Sequence, residues 1–363
     1  MRMLQLYLSC QAPIDAEYQI DAEDLIGQEE KEIGEKAMSE EKKMYRVSSN
    51  PHIRSGWTTS GIMLAVIVAL LPAAGYGIFH FGPRAIAVIA VSVAGAVITE
   101  GIFGLCCKKT TVTDLSAVVT GLLLAMNLPV SLPLWMAALG SVFAILVAKL
   151  LFGGLGQNFM NPALAGRCFL LISFPKQMSD FSTKGFELGE RTWDALSGAT
   201  PLATLKAGES VDVMEMIVGN TGGTIGETSV IALVIGACLL ILLGIIDLRI
   251  PGSYIVSFSI FVVLFGGRGF DPAYLSAQLA GGGLMLGAFF MATDYVTRPI
   301  TVGGQYLFGI FLGIMTGIFR IFGPGAEGVS YAIILGNLLV PLMEKVTRPK
   351  PFGYRKEGNA HGK

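Results

Sequence analysis

The stretch TTSGIMLAVIVALLPAAGYGIFHF, residues 58–81, carries no Asp, Glu, Lys or Arg. It exceeds the roughly 20 apolar residues needed to cross the hydrocarbon core of a bilayer. Inside lipid, a single segment satisfies all its backbone N–H and C=O groups only as a helix. One residue further on, PRAIAVIAVSVAGAVITEGIFGL at 83–105 repeats the pattern with one Arg and one Glu. Further apolar segments fall at 115–128, 132–152, 161–174, 228–246, 253–265, 275–292, 304–322 and 329–343. The expected fold is therefore an all-α integral membrane protein with about ten transmembrane segments. The segments at 115–128 and 161–174 are short and end at Pro129 and Pro175, as broken helices do.

Composition agrees. Of 363 residues, 52% are hydrophobic and 15% charged, and the mean hydropathy is +0.62, outside the range of ordinary soluble domains. A formal net charge of −1 gives no electrostatic case for nucleic acid. The five cysteines, Cys10, Cys106, Cys107, Cys168 and Cys238, show no CxxC spacing, and His52, His80 and His361 are far apart. A thiolate-held cluster or a histidine-based metal or haem site within this chain is therefore disfavoured.

Residues 1–55 read as an N-terminal cytoplasmic segment without a signal peptide, since 12–43 are polar and acidic. The first 37 or so are expected to be disordered or not translated, with Met38 as a second start. A first membrane repeat spans 56–174, an outer-side loop 175–227, a second membrane repeat 228–346 and a cytoplasmic tail 347–363.

Orientation follows from charge. Lys42, Lys43, Arg46, Arg54, Lys108, Lys109, Lys149, Arg249, Arg298, Lys345, Arg348, Lys350, Arg355 and Lys356 fall on the side of the N-terminus, against Arg84, Arg268 and Arg320 opposite. Both termini are then cytoplasmic. Leu122–Pro129 followed by Asn161-Pro162-Ala163 is echoed by Phe289–Asp294 followed by Val329-Ser330-Tyr331. Gly153-Gly154-Leu155-Gly156 and Gly323-Pro324-Gly325 precede the last segment of each half. Because five segments is an odd number, two five-helix repeats enter the membrane from opposite sides, an inverted arrangement with short broken helices near a midplane site.

The residues able to carry chemistry cluster in the long loop. Asp194-Ala195-Leu196-Ser197-Gly198-Ala199-Thr200, followed by Pro201, presents a hydroxyl on a tight turn. Asn220–Ser229 (NTGGTIGETS) combines glycines, which admit a flat ligand, with hydroxyls and Glu227, just before a helix starting near Thr228. Its plain reading is a capped helix start, with Thr224 or Glu227 closing the first turn. Arg167 lies inside a short apolar segment, where it costs about 2.5–3.5 kcal/mol unless paired or facing a cavity. Asp114, Asp271 and Asp294 flank membrane segments as helix caps, with an ion path through Asp114 and Asp294 the sharper alternative. Met126, Met285 and Met291 read as packing residues.

Asp194–Thr200 resembles the Asp-x-x-(Ser/Thr)-Gly-Ala-Thr signature at which a flavin transferase esterifies FMN phosphate to the last threonine. With the apolar segments, it is similar to the D subunit of the Rnf ferredoxin:NAD oxidoreductase. That protein is related to the B subunit of the Na⁺-translocating NADH:quinone reductase. Ala195 stands where that family often has glycine, and Arg167 is often absent from it. The Gly153–Ala163 run also matches the family.

The resemblance implies FMN covalently held at Thr200, with Asp194, Ser197, Gly198, Ala199, Thr224, Gly226, Glu227, Asn158 and Asn161 about the flavin. It implies no catalytic residue of the chain's own. A second, non-covalent flavin (riboflavin) is compatible but has no signature here. The implied location is the bacterial cytoplasmic (inner) membrane. The implied partners are the A, B, C, E and G subunits of the Rnf complex, above all the flavin-bearing G subunit, and a flavin transferase for maturation. Electrons would reach this FMN from that of the G subunit, coupled to Na⁺ or H⁺ translocation. Two rivals stay open: the quinone-reductase B subunit, and an inverted-repeat solute permease without flavin.

Overall fold

The computed structural model describes residues 56–108, 112–181, 200–207, 211–219, 221–323 and 328–349. Among them there are helices and turns but no strand. The first part comprises α1 (Thr59–Phe81), α2 (Pro83–Cys107), α3 (Ser116–Met126), α4 (Leu134–Leu146), α5 (Pro162–Ser173) and the single turn α6 (Pro175–Met178). Short helices α7 (Pro201–Lys206) and α8 (Val213–Val218) follow. The second part holds α9 (Val230–Leu242), α10 (Arg249–Phe265), α11 (Pro272–Ala280), α12 (Leu284–Leu286), α13 (Val302–Ile321) and α14 (Val329–Thr347). A π-helical turn, Gly287–Met291, continues α12.

Each of the ten expected apolar segments coincides with a helix or a broken pair. Five are long and apolar enough to cross a membrane alone: α1, α2, Leu134–Phe152, α13 and α14. The pair Pro272–Ala280 and Leu284–Met291 meets the same test only together and is bent by 61°, the geometry of a broken span or a re-entrant loop. Helices α3, α5, α9 and α10 are shorter. The chain is a multi-pass membrane protein. Its outward faces are correspondingly apolar, with Leu105, Leu242, Phe79 and Ile172 exposed.

The caps explain the boundaries. Thr58, Asn161, Ser229, Asp271 and Thr301 each accept a hydrogen bond from a first-turn N–H of α1, α5, α9, α11 and α13. Asp271 is thus a helix cap, with its Oδ1 3.0 Å from Ala273 N. Prolines open α2, α5, α7 and α11 at the first helical position.

Packing in lipid relies on close approach and polar contact. Gly309, Gly313 and Gly317 repeat every four residues on α13 and let Ser253, Ser257 and Phe261 of α10 come against its backbone. Helix α2 packs on α3 and α4, and α4 on α5, while α10 packs on α13 and α13 on α14. The two parts meet where α1 lies on α9 and α5 on α14.

Two of the charges counted for orientation lie inside the bundle. Lys149, 2% exposed, bonds Glu100 at 2.8 Å and Ser116 Oγ at 2.7 Å. Arg320 lies within α13 and is 3% exposed. Neither belongs in a count of loop charge, because both are neutralised or solvated by protein. Arg84, at the start of α2, donates to the Leu132 carbonyl at 3.1 Å.

Candidate functional site

The turn Thr224–Glu227 is docked on the end of α3 by backbone. Gly226 N–H donates to Met126 O at 2.7 Å, and Ile225 N–H donates to Leu128 O at 3.2 Å. A side chain at Gly226 would strike Met126, whose Cβ would stand 2.6 Å from the new Cβ. This close approach is what requires glycine there. Ile225 is fully buried against Gly77 of α1.

The docked turn forms one side of a cleft of about 390 Å³, mouth included. Thr200, Gly222, Gly223, Glu227, Gly281 and Gly282 line it, with Leu202 and Met216 among the apolar residues. Thr200 is partly exposed, and its hydroxyl caps α7 by accepting from Ala203 N at 3.4 Å. Thr200 and the 221–228 run, linked only by inference in the sequence, therefore share one cleft. Asp194, Ser197, Gly198 and Ala199 lie outside the described residues. Thr224 and Gly226 do not line the cleft; Thr224 is 1% exposed, and its hydroxyl meets no hydrogen-bond partner among the described residues.

Beneath the cleft lies Arg167, the residue that looked anomalous in the sequence. Its guanidinium is 3.8 Å from the Glu227 carboxylate and donates to Asn127 Oδ1 at 2.8 Å and Ser330 Oγ at 3.0 Å. It is only 4% exposed. Asn127 in turn donates to Leu123 O at 2.6 Å and approaches Met291 Sδ at 3.8 Å. Ser229 caps α9, its Oγ accepting from Ala232 N at 3.4 Å.

Asn158 and Asn161 occupy a different place. Asn161 caps α5, accepting from Ala163 N at 3.0 Å, and its amide donates to Met291 O at 3.3 Å. Asn158 donates to Met160 O at 3.2 Å. Both line a second, larger cavity of about 810 Å³, mouth included, with Leu123, Lys149, Phe290 and Asp294. Asp294 accepts from Thr297 Oγ1 at 3.1 Å, and burial pushes its carboxyl above the ordinary carboxylate range. Asp114 is in a 3₁₀ turn before α3 and does not line this cavity.

The two cavities lie towards opposite ends of α1. Ile62, Met63 and Val66 face the larger one, while Tyr76 and Gly77 abut the loop that carries the Thr200 cleft. Ten residues of helix separate them, about 15 Å. Between them runs a continuous set of polar contacts: Glu227 to Arg167, Arg167 to Asn127, Asn127 to Met291 and Met291 to Asn161.

Sequence reading missed Asn127, Ser330, Gly281 and Gly282, and placed Arg320 in a loop. A triple glycine inside an apolar segment, Gly281-Gly282-Gly283, was the available signal. Among the described residues, no three His, Cys, Asp or Glu side chains group as a metal site.

A family model described as NQR2, RnfD, RnfE family matches residues 46–353. The chain is 47% identical over 316 residues to the D subunit of the Na⁺-translocating ferredoxin:NAD⁺ oxidoreductase complex of Acetobacterium woodii, covering 85% of this chain and 96% of that protein. It is 41% identical over 331 residues to the D subunit of the proton-translocating ferredoxin:NAD⁺ oxidoreductase complex of Clostridium ljungdahlii, covering 87% and 98%. To the D subunit of the ion-translocating oxidoreductase complex of Actinobacillus succinogenes it is 36% identical over 353 residues, covering 87% and 99%. With its model matched across both membrane parts and these relatives aligned over nearly their whole lengths, the chain belongs to the NQR2, RnfD, RnfE family.

Proposed function

We propose that this chain is the D subunit of an Rnf ferredoxin:NAD oxidoreductase complex, carrying FMN esterified to Thr200 and passing electrons in a chain coupled to Na⁺ or H⁺ translocation. The observation that carries the reading is the shared cleft of Thr200, Gly222, Gly223 and Glu227. Family membership supplies the complex: the relatives' names describe subunits of ion-translocating oxidoreductases. The protein acts as one subunit and is not a complete enzyme by itself.

The residues of the cleft suit a tethered flavin. Thr200 sits at the head of α7 and is partly exposed. An ester oxygen there retains a lone pair for Ala203 N–H. Gly222, Gly223, Gly281 and Gly282 offer backbone without side chains, so a planar ring can approach closely. Leu202 and Met216 provide the apolar surface. When bound, FMN supplies one-electron transfer chemistry; the chain holds, orients and tunes it. Glu227, with Arg167 behind it, fixes the charge at the wall of the cleft.

The larger cavity favours a second ligand. The amides of Asn158 and Asn161, which line it, offer donors and acceptors to a non-covalent flavin, riboflavin, there rather than beside Thr200. This divides the expected flavin residues between two sites.

This reading includes two inverted five-helix repeats with ten crossings, and chain direction favours the inversion. Helix α1 starts beside the larger cavity, with Ile62 and Met63. Helix α9 starts near the Thr200 cleft, at Ser229, and reaches the larger cavity at Leu240. The broken third segments are likewise opposed: Ser116 begins α3 at the larger cavity, whereas Gly281 and Gly282 precede α12 at the cleft. In the bacterial inner membrane, with both termini cytoplasmic, the cleft faces outward and meets the flavin-bearing G subunit, with the A, B, C and E subunits completing the complex. Moving one charge against 100 mV costs about 2.3 kcal/mol, within reach of a one-electron step of similar size in millivolts.

The test is covalent attachment. The chain is co-expressed with an active flavin transferase and run on a denaturing gel under ultraviolet light, beside Thr200→Ala. A fluorescent band present in the parent and absent in the variant is expected. No band in either, with the transferase active, overturns the flavin reading and leaves a flavin-free permease as the better account. The quinone-reductase B subunit is distinguished by quinone reduction in the assembled complex.

A further inference from the structure

The wall of the Thr200 cleft opposite the docked turn is a break in a membrane helix, and one buried cation holds it. Between α11 and α12 the chain turns through Gly281, Gly282 and Gly283, the last two at φ +65°. A helix broken in this way leaves the carbonyls at the end of α11 without partners of their own. Arg320, from the far end of α13, supplies them. Its Nη1 donates to the Gln278 carbonyl, and its Nη2 donates to Gly281 O at 2.9 Å and Gly282 O at 3.0 Å. The guanidinium also lies over the ring of Phe258 at 5.1 Å. A cation at a helix C-terminus is favoured by the helix dipole as well as by the hydrogen bonds.

The fit leaves little latitude. A Cβ at Gly282 would come 2.8 Å from Arg320 Nη2, and one at Gly281 would come 2.9 Å from both Leu202 and Met216. On the other flank, a Cβ at Gly283 would meet Glu227 Oε1 at 2.5 Å. The triple-glycine break is therefore gripped between Arg320 and Glu227, and its Gly281 and Gly282 face Thr200 across the cleft. The first part of the chain has a counterpart. Lys149, just past the end of α4, reaches Ser116 Oγ at the start of α3, next to a break at Leu115 with φ +59°.

We propose that Arg320 is a positioning residue for the Thr200 cleft: it clamps the Gly281–Gly283 break so that this backbone forms a fixed wall for the tethered group. The inference rests on the reading of the cleft as the flavin site, but the clamp itself is tested without flavin. The parent and the variants Arg320→Lys and Arg320→Met are compared in the full complex, in a background with the five native cysteines replaced. One series carries Thr221→Cys beside the cleft, and a control series carries Leu155→Cys in the larger cavity.

Loss of the clamp in Arg320→Met is expected to raise maleimide labelling of Thr221→Cys roughly tenfold through local opening. Arg320→Lys, which keeps the charge but not the two-pronged grip, should fall between. Labelling of Leu155→Cys should stay unchanged. Unchanged labelling at Thr221→Cys overturns the clamp, and so does a parallel rise at both positions, which marks general loosening. In the flavin-loaded complex, Arg320→Met should also shift the flavin midpoint potential while retaining the fluorescent band. A missing band in the parent would count against the flavin reading alone, because the labelling comparison decides the clamp by itself.

Discussion

Arg167 shows how a single side chain is made tolerable inside a membrane protein. An arginine there is costly in lipid, yet here it has a carboxylate and two neutral acceptors on three different segments: Glu227, Asn127 on the end of α3, and Ser330 on α14. Removing one partner of a buried pair leaves the other charge uncompensated, which costs about 3–5 kcal/mol. Glu227→Gln is therefore expected to lower stability by about that amount, and Arg167→Met/Glu227→Gln to recover much of it. Denaturant unfolding of the detergent-solubilised protein measures both. An unchanged midpoint for Glu227→Gln would show that the pair contributes nothing to the fold.

The unit that builds the cleft is the docked turn rather than any one residue. Ile225 and Gly226 donate two backbone hydrogen bonds to the end of α3, so the turn's position follows that helix. Gly226→Ala puts a methyl group against Met126 and is expected to cost about 1–3 kcal/mol, the usual range for overpacking. Because the turn carries Glu227, the same substitution should also loosen the ring of a flavin attached at Thr200. Thermal unfolding and flavin fluorescence anisotropy read the two effects separately. A variant as stable as the parent with unchanged anisotropy would contradict the close approach. The opposite wall belongs to the α11–α12 break, and the π turn Gly287–Met291 that follows brings Met291 between Asn127 and Asn161. Such π turns recur at functional sites.

At the scale of the whole chain, two cavities lie at different depths of the bundle with polar side chains between them. If the repeats are inverted as proposed, the cavities open to opposite sides. A membrane-impermeant maleimide should then label Thr221→Cys in intact spheroplasts, and Leu155→Cys only after permeabilisation. Labelling of both from one side would rule out the opposed arrangement. The reverse pattern would keep the arrangement but turn the molecule over. Sequence reading of orientation leaned on charges that included Lys149 and Arg320, and both proved to be interior. The sidedness experiment therefore carries more weight than the charge count.

The membrane class and the positions of the ten apolar segments were legible from the amino acids alone. Hydropathy and capping residues act over one helix length and are written locally, as at 58–81 and at Asn161. Arg167 was visibly out of place in the same reading, but its partners were not. Those are Asn127, Glu227 and Ser330, which are 40, 60 and 163 positions away along the chain. It took the packed bundle to place Thr200 against Gly281 and Gly282, to move Asn158 and Asn161 to a second cavity, and to turn Arg320 from a loop charge into a clamp. Buried polar groups must find hydrogen-bond partners wherever packing brings them. Those partners sit on other helices, at separations no local pattern encodes.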